Sequence, residues 1–120
     1  MARTIRLVRQ SDGAVICQGA RVARSFAERL AGLALRASML PEDGLWLLPC
    51  NGVHTALMRF SIDVVALDKD LRVLAIHTSV RPWRLLPPRP GWHSTLELPA
   101  GAARRSGLAL RDRLSAEPAP

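Results

Sequence analysis

The residues best suited to chemistry crowd into one stretch, 50 to 68, where Cys50, His54, Thr55, Met58, Arg59 and Asp63 lie before or within an apolar run from Ile62 to Leu67. Cys50, His54 and Asp63 supply the types of a nucleophile, a base and an orienting acid, so a small hydrolase using Cys50 or His54 is one reading. Against it, the glycine pattern of a nucleophile elbow is missing, and Asn51-Gly52 reads better as a turn. Cys50 and His54 also form one pair at metal-ligand spacing, with His77 and His93 elsewhere, but structural zinc wants ligands in two such pairs. Met58 with His54 offers a soft pair for copper(I), although an unbranched thioether fills core gaps equally well. No phosphate-cradling glycine loop occurs, which argues against nucleotide-dependent chemistry. The residues name no catalytic group, no metal site and no cofactor.

The elements that must position this stretch follow from pattern. In Ile62 to Leu67 both period-2 faces are largely apolar, as a strand covered on both sides requires, which puts it at the centre of a small domain. Lys69 and Asp70 turn the chain into a second strand, Leu71 to Ile76, expected to pair antiparallel with the first. Upstream, residues 4 to 8 and 14 to 17 flank Ser11, Asp12 and Gly13 and read as a hairpin. Ser25 and Glu28 form a capping box for a short amphipathic helix carrying Phe26, Leu30 and Leu33, and Leu45 to Leu48 is a short strand. Residues 79 to 93 hold four prolines together with Trp83, Arg84 and Trp92, which excludes helix and central strand and predicts an extended flap. Such a flap is either an exposed surface for a partner or a crossover whose tryptophans lie down on the barrel. Ser94 to Leu98 is a further strand, Pro99 to Arg105 a short helix, Leu108 to Leu114 a last strand, and 115 to 120 a flexible tail.

At 120 residues the chain reads as a single domain, its core spanning about 20 to 114. No stretch approaches the ~18 apolar residues of a membrane helix, and the N-terminus lacks the apolar centre of a secretory signal, so the protein reads as cytoplasmic with Cys17 and Cys50 as free thiols. The net charge of +7 suggests an anionic partner at first sight. Lys69 is the only lysine among 17 basic residues, a skew that codon bias in a GC-rich genome produces by itself. The arginines are scattered rather than striped, which argues against nucleic acid.

Four blocks in order carry a family resemblance: Glu28 to Leu33 running on to Arg36; Pro41 to Leu45; His54-Thr55 with Met58-Arg59-Phe60 and Ile62 through Asp68; and Leu96 to Gly101 followed by Gly107-Leu108. Together they resemble the bacterial and archaeal DUF192 family. The resemblance implies a compact α+β domain that is mostly β, an antiparallel or mixed barrel-like sheet with one or two short helices. It also implies a family with no established biochemical activity, in a cytoplasmic branch expected near genes for pilus or secretion assembly. Two positions depart from the family pattern. Ala34 stands where a methionine is usual, and Arg111 where a glycine is usual, which suggests that the tight turn beside Asp112 has relaxed.

Within those blocks the polar or soft residues are Arg36, His54, Met58, Arg59, Asp63 and Glu97, and they form the candidate ligand site. Arginine's fixed fork suits a carboxylate or phosphate, so Arg36 and Arg59 would be its anion-binding half. The alternative for the same residues is a buried salt bridge, Arg36 or Arg59 with Asp63 or Glu97, that orders the core. The functional expectation is a binding domain, for a small anionic ligand at this site or for a protein partner at Trp83, Arg84 and Trp92 on the flap.

Overall fold

The computed structural model describes residues 4–24, 39–55 and 58–119. Nine strands and one short helix lie within them: β1 (Thr4–Arg9), β2 (Val15–Ala23), β3 (Asp43–Leu47), β4 (Val53–His54), β5 (Ile62–Leu67), β6 (Val73–Val80), β7 (Leu85–Leu86), β8 (Ser94–Pro99), α1 (Ala102–Arg105) and β9 (Leu114–Pro118). The helix expected from the capping box at Ser25 and Glu28 falls outside the described residues, as does Arg36. No helix among the described residues is long and apolar enough to cross a membrane.

Seven strands form one mixed sheet in the order β6-β5-β8-β3-β2-β1-β9, while β4 and β7 form a separate two-stranded ribbon. Among the described strands, β2 and β3 alone run parallel. The sheet curls until its two edges meet at one corner. There Arg72 and Arg113 form an isolated bridge, the Val73 amide donates to the Asp112 carbonyl and the Arg111 amide to the Val73 carbonyl, each at 2.8 Å. The sheet is therefore barrel-like, stitched at that corner and open elsewhere. One apolar cluster takes residues from all seven strands, among them Leu7, Trp46, Val65, Leu96, Leu98 and Leu114, and is the filling of the curl. A second cluster, with Leu45, Leu47, Val64, Ala66, Met58 and Trp92, coats the outer face of β3, β5 and β8.

The apolar run of β5 does what its two-faced pattern requires, with all six residues buried. It pairs antiparallel with β6 on one side and β8 on the other, one strand in from the sheet edge. Asp68 makes the β5–β6 turn, its Oδ1 accepting the amides of Asp70 and Arg72 at 2.8 and 2.9 Å.

Two expectations fail at the C-terminal end. Leu108 to Arg113 is irregular chain around a turn at Leu110 and Arg111, and the last strand runs from Leu114 to Pro118 through residues expected to form a flexible tail. It pairs with β1 over Ile5–Arg9, and the Arg6 guanidinium reaches Glu117 Oε2 at 2.7 Å. The turn before it has not relaxed either: Arg111 holds the glycine-like conformation at φ 72°. The Asp112 carboxylate keeps that turn closed by accepting the Ala109 amide at 2.9 Å and Arg9 Nη1 at 3.0 Å.

Candidate functional site

The β5–β8 register decides which of the candidate residues can converge. Asp63 stands opposite Leu98, and Glu97 stands opposite Val64 and, on the other side, Leu45. Residues directly opposite share a face. Leu98 belongs to the filling of the curl, and Val64 and Leu45 to the outer cluster. The two carboxylates thus point to opposite sides of the sheet and cannot join one pocket.

Asp63 is completely buried, and its carboxylate takes backbone amides as partners. Oδ1 accepts Ser79 N at 2.9 Å, and Oδ2 accepts Gly101 N at 3.1 Å and Ala103 N at 3.0 Å. A carboxylate held this way ties the end of β6 and the start of α1 to β5, which is structural work. Glu97 is equally buried on the outer side, within β8. Met58 fills core in the outer cluster, and Arg59 is exposed.

His54 lies in the β4–β7 ribbon, opposite Leu85. The Cys50 thiol donates to the Gly52 carbonyl at 3.0 Å, so its hydrogen goes to a backbone oxygen rather than to an imidazole. Cys17 and Cys50 are both free thiols. A shallow depression of about 330 Å³ opens beside Cys50, lined by Pro49, Asn51, Trp92 and His93. Among the described residues no three His, Cys, Asp or Glu side chains gather at metal-binding distance.

The flap is where the polar half of the central stretch does organise something. Thr55, 1% exposed, is its pin. The Thr55 hydroxyl donates to the Arg81 carbonyl at 2.6 Å and accepts the Arg84 amide at 2.8 Å. Its backbone amide donates to the Arg84 carbonyl at 2.9 Å, and its carbonyl accepts the Trp83 amide at 3.1 Å. Pairing of β4 with β7 continues the attachment. Gly52 permits it: a Cβ there would lie 3.0 Å from both Leu86 O and Pro88 N, leaving no room for a side chain under the flap.

The two flap tryptophans have opposite fates. Trp92 is 5% exposed, and its Nε1 donates to Ser94 O at 3.0 Å and Thr95 Oγ1 at 2.8 Å. It is core, not partner surface, because the start of β8 offers acceptors that let the indole be buried with its N–H satisfied. Trp83 is 69% exposed beside Leu85 at 71%, and its backbone sits at φ 64°, rarely adopted by a bulky residue. Arg81, Arg84 and Arg89 are exposed around them. Of this group, sequence reasoning found Trp83 and Arg84 and missed Thr55 as the fastener. Its signal was only adjacency to His54 in the polar cluster.

Comparison with known proteins agrees with the geometry. The profile of the DUF192 family, described as "Uncharacterized ACR, COG1430", matches residues 7–116. The UPF0127 protein PH1112 of Pyrococcus horikoshii is 33% identical over 87 residues, covering 68% of this chain and 72% of its own. A solved structure from Sinorhizobium meliloti 1021, named as a candidate transcription regulator, superposes with a TM-score of 0.80 at 23% identity, covering 97% of this chain and 94% of its own. A protein of unknown function from Novosphingobium aromaticivorans DSM 12444 gives 0.78, also at 23% identity, covering 95% of this chain and 84% of its own. At that identity the two structures show the shared fold alone. The profile match over nearly the whole length, with the archaeal relative beside it, establishes that the chain belongs to the DUF192 family.

Proposed function

We propose that this domain works by binding a protein partner, and that the partner seats on the flap around Trp83. The observation that carries this reading is the conformation of Trp83. A bulky residue at positive φ costs on the order of 1–3 kcal/mol and persists only where surrounding structure holds it. Here Thr55 holds it, and the indole so placed points into solvent beside Leu85. The fold's own packing gains little from that arrangement. A partner gains a rigid aromatic anchor whose ordering is already complete, which is what hot spots require. The reading takes the domain to act in the cytoplasm, where free thiols stay reduced. The link to pilus or secretion assembly implied by the family resemblance is compatible with a partner-binding role and adds no residue to it.

Site-specific photocrosslinking in the source cells tests this. A photoreactive residue at Leu85 should capture a discrete protein, and Trp83→Ala in the same chain should abolish the capture. The same residue at Leu110, 61% exposed elsewhere on the surface, should capture nothing comparable. Equal capture from both positions, or capture indifferent to Trp83→Ala, would reject the flap as the partner surface.

A further inference from the structure

From the charges around the flap we infer that the segment it binds is acidic, an Asp- or Glu-rich stretch of a partner protein that also carries an apolar side chain for Trp83 and Leu85. This rests on the flap being the partner surface and goes further, to the chemistry of what it recognises. From Leu71 through Leu96 the chain contains no Asp or Glu, while it contains Arg72, Arg81, Arg84 and Arg89 together with His77 and His93. Two arginines of β1 are answered from within the fold: Arg6 pairs with Glu117, and Arg9 with Asp12 and Asp112. Arg81, Arg84 and Arg89 are exposed and take part in no salt bridge among the described residues.

A positive patch whose arginines form no salt bridge among the described residues repels basic partners and steers acidic ones. The guanidinium fork then gives each carboxylate a directional, paired contact. The apolar half narrows the class further. Leu85 beside Trp83 favours an aliphatic side chain between carboxylates. A nucleic acid would stack a base on the indole and leave Leu85 without an apolar partner, and an oligonucleotide probe separates the two. Two exposed apolar side chains are also a small area for holding a lipid surface, where binding scales with buried apolar area. The backbone from Arg81 to Arg84 is pinned to Thr55, so the arginines and Trp83 are presented from a fixed frame.

The test uses the full chain and four probes: a labelled peptide alternating Glu with Leu, its Lys-for-Glu counterpart, vesicles containing phosphatidylglycerol, and single-stranded oligouridylate. Anisotropy of the labelled acidic peptide should show saturable binding that weakens steeply with salt. Trp46 and Trp92 are 7% and 5% exposed, so a blue shift in tryptophan emission on binding reports Trp83. Trp83→Ala should weaken binding by about tenfold or more, and the double change Arg81→Glu, Arg84→Glu by a similar factor, with the unfolding midpoint little moved because these side chains are exposed. Trp83-dependent binding of the basic peptide instead would overturn the acidic class while leaving the flap as a partner surface. Binding only to vesicles or to the oligonucleotide would overturn the inference in favour of a lipid or nucleic-acid partner. Acidic-peptide binding unchanged in both variants, or no binding at all, would overturn it as well.

Discussion

Of the four non-glycine residues at positive φ among the described residues, Leu71, Ser79, Trp83 and Arg111, the last two separate stability from function. Arg111 and Trp83 both hold positive φ, at 72° and 64°, and both are exposed. Replacing either by glycine removes the conflict between Cβ and backbone, so Arg111→Gly and Trp83→Gly should each stabilise the fold by about 0.5–1 kcal/mol in urea titrations. Only Trp83→Gly should lose the crosslinked partner. A destabilised Trp83→Gly variant would mean that the indole packs for the fold and not for a partner. The cysteines separate in the same way by environment. Burial pushes the Cys17 thiol up to about 11 from an ordinary 9.0, and its hydrogen is directed at the Glu42 carbonyl. A group raised in this way stays protonated until the pH climbs toward that value, and the thiolate is the reactive form. Iodoacetamide near neutral pH should therefore label Cys50 and spare Cys17 in the folded protein, as peptide mapping will show. Rapid labelling of Cys17 would place it outside the core.

The flap behaves as an element because one threonine makes it so. Thr55→Val keeps the shape of the side chain and removes the hydroxyl, leaving the Arg81 carbonyl and the Arg84 amide without that partner, a loss of about 1–3 kcal/mol. Since the flap is fastened to the outer face and is not part of the seven-stranded sheet, the loss should fall on local opening. The Arg84 amide should exchange about tenfold to a hundredfold faster while the β5 amides stay protected. Simultaneous loss of protection in both would show that flap and sheet open as one unit. The element scale is also where reading the chain alone succeeds and stops. The β1–β2 hairpin, the two-faced run of β5 and the turn at Lys69 and Asp70 were legible because each is written in neighbouring residues. Trp92 was legible only as a choice between an exposed flap and a tryptophan laid down on the barrel, since nothing local shows that Thr95 and Ser94 lie beneath it. Asp63 and Glu97 looked like partners in one site until the β5–β8 register sent them to opposite faces.

At the scale of the whole molecule, the curl of the sheet depends on contacts between the two ends of the chain, which no local pattern announces. Ser115 to Pro118 carries a serine, an alanine, a charge and a proline, so it resembles a tail. It becomes a strand because β1 presents an unpaired edge, and because Arg6 meets Glu117 across 111 positions of sequence. It also helps complete the inner cluster, where Leu114 packs with Ile5 and Leu7, and its start closes the corner at Arg72 and Arg113. Removing the chain after Arg113 would strip five ladder residues from β1 and take away the Leu114 amide that donates to the Leu71 carbonyl beside that corner. At about 0.5–1 kcal/mol for each backbone bond lost, the deletion should cost roughly 3–5 kcal/mol, before counting the exposed edge. That is a large share of the 5–15 kcal/mol typical of a domain, so the truncated protein should show a much lower urea midpoint and self-associate through the bared β1 edge. Removing only residues 119 and 120 should leave the midpoint unchanged. If the longer deletion were equally silent, residues 114 to 118 would be a tail after all, and the barrel-like curl would hold without its last strand.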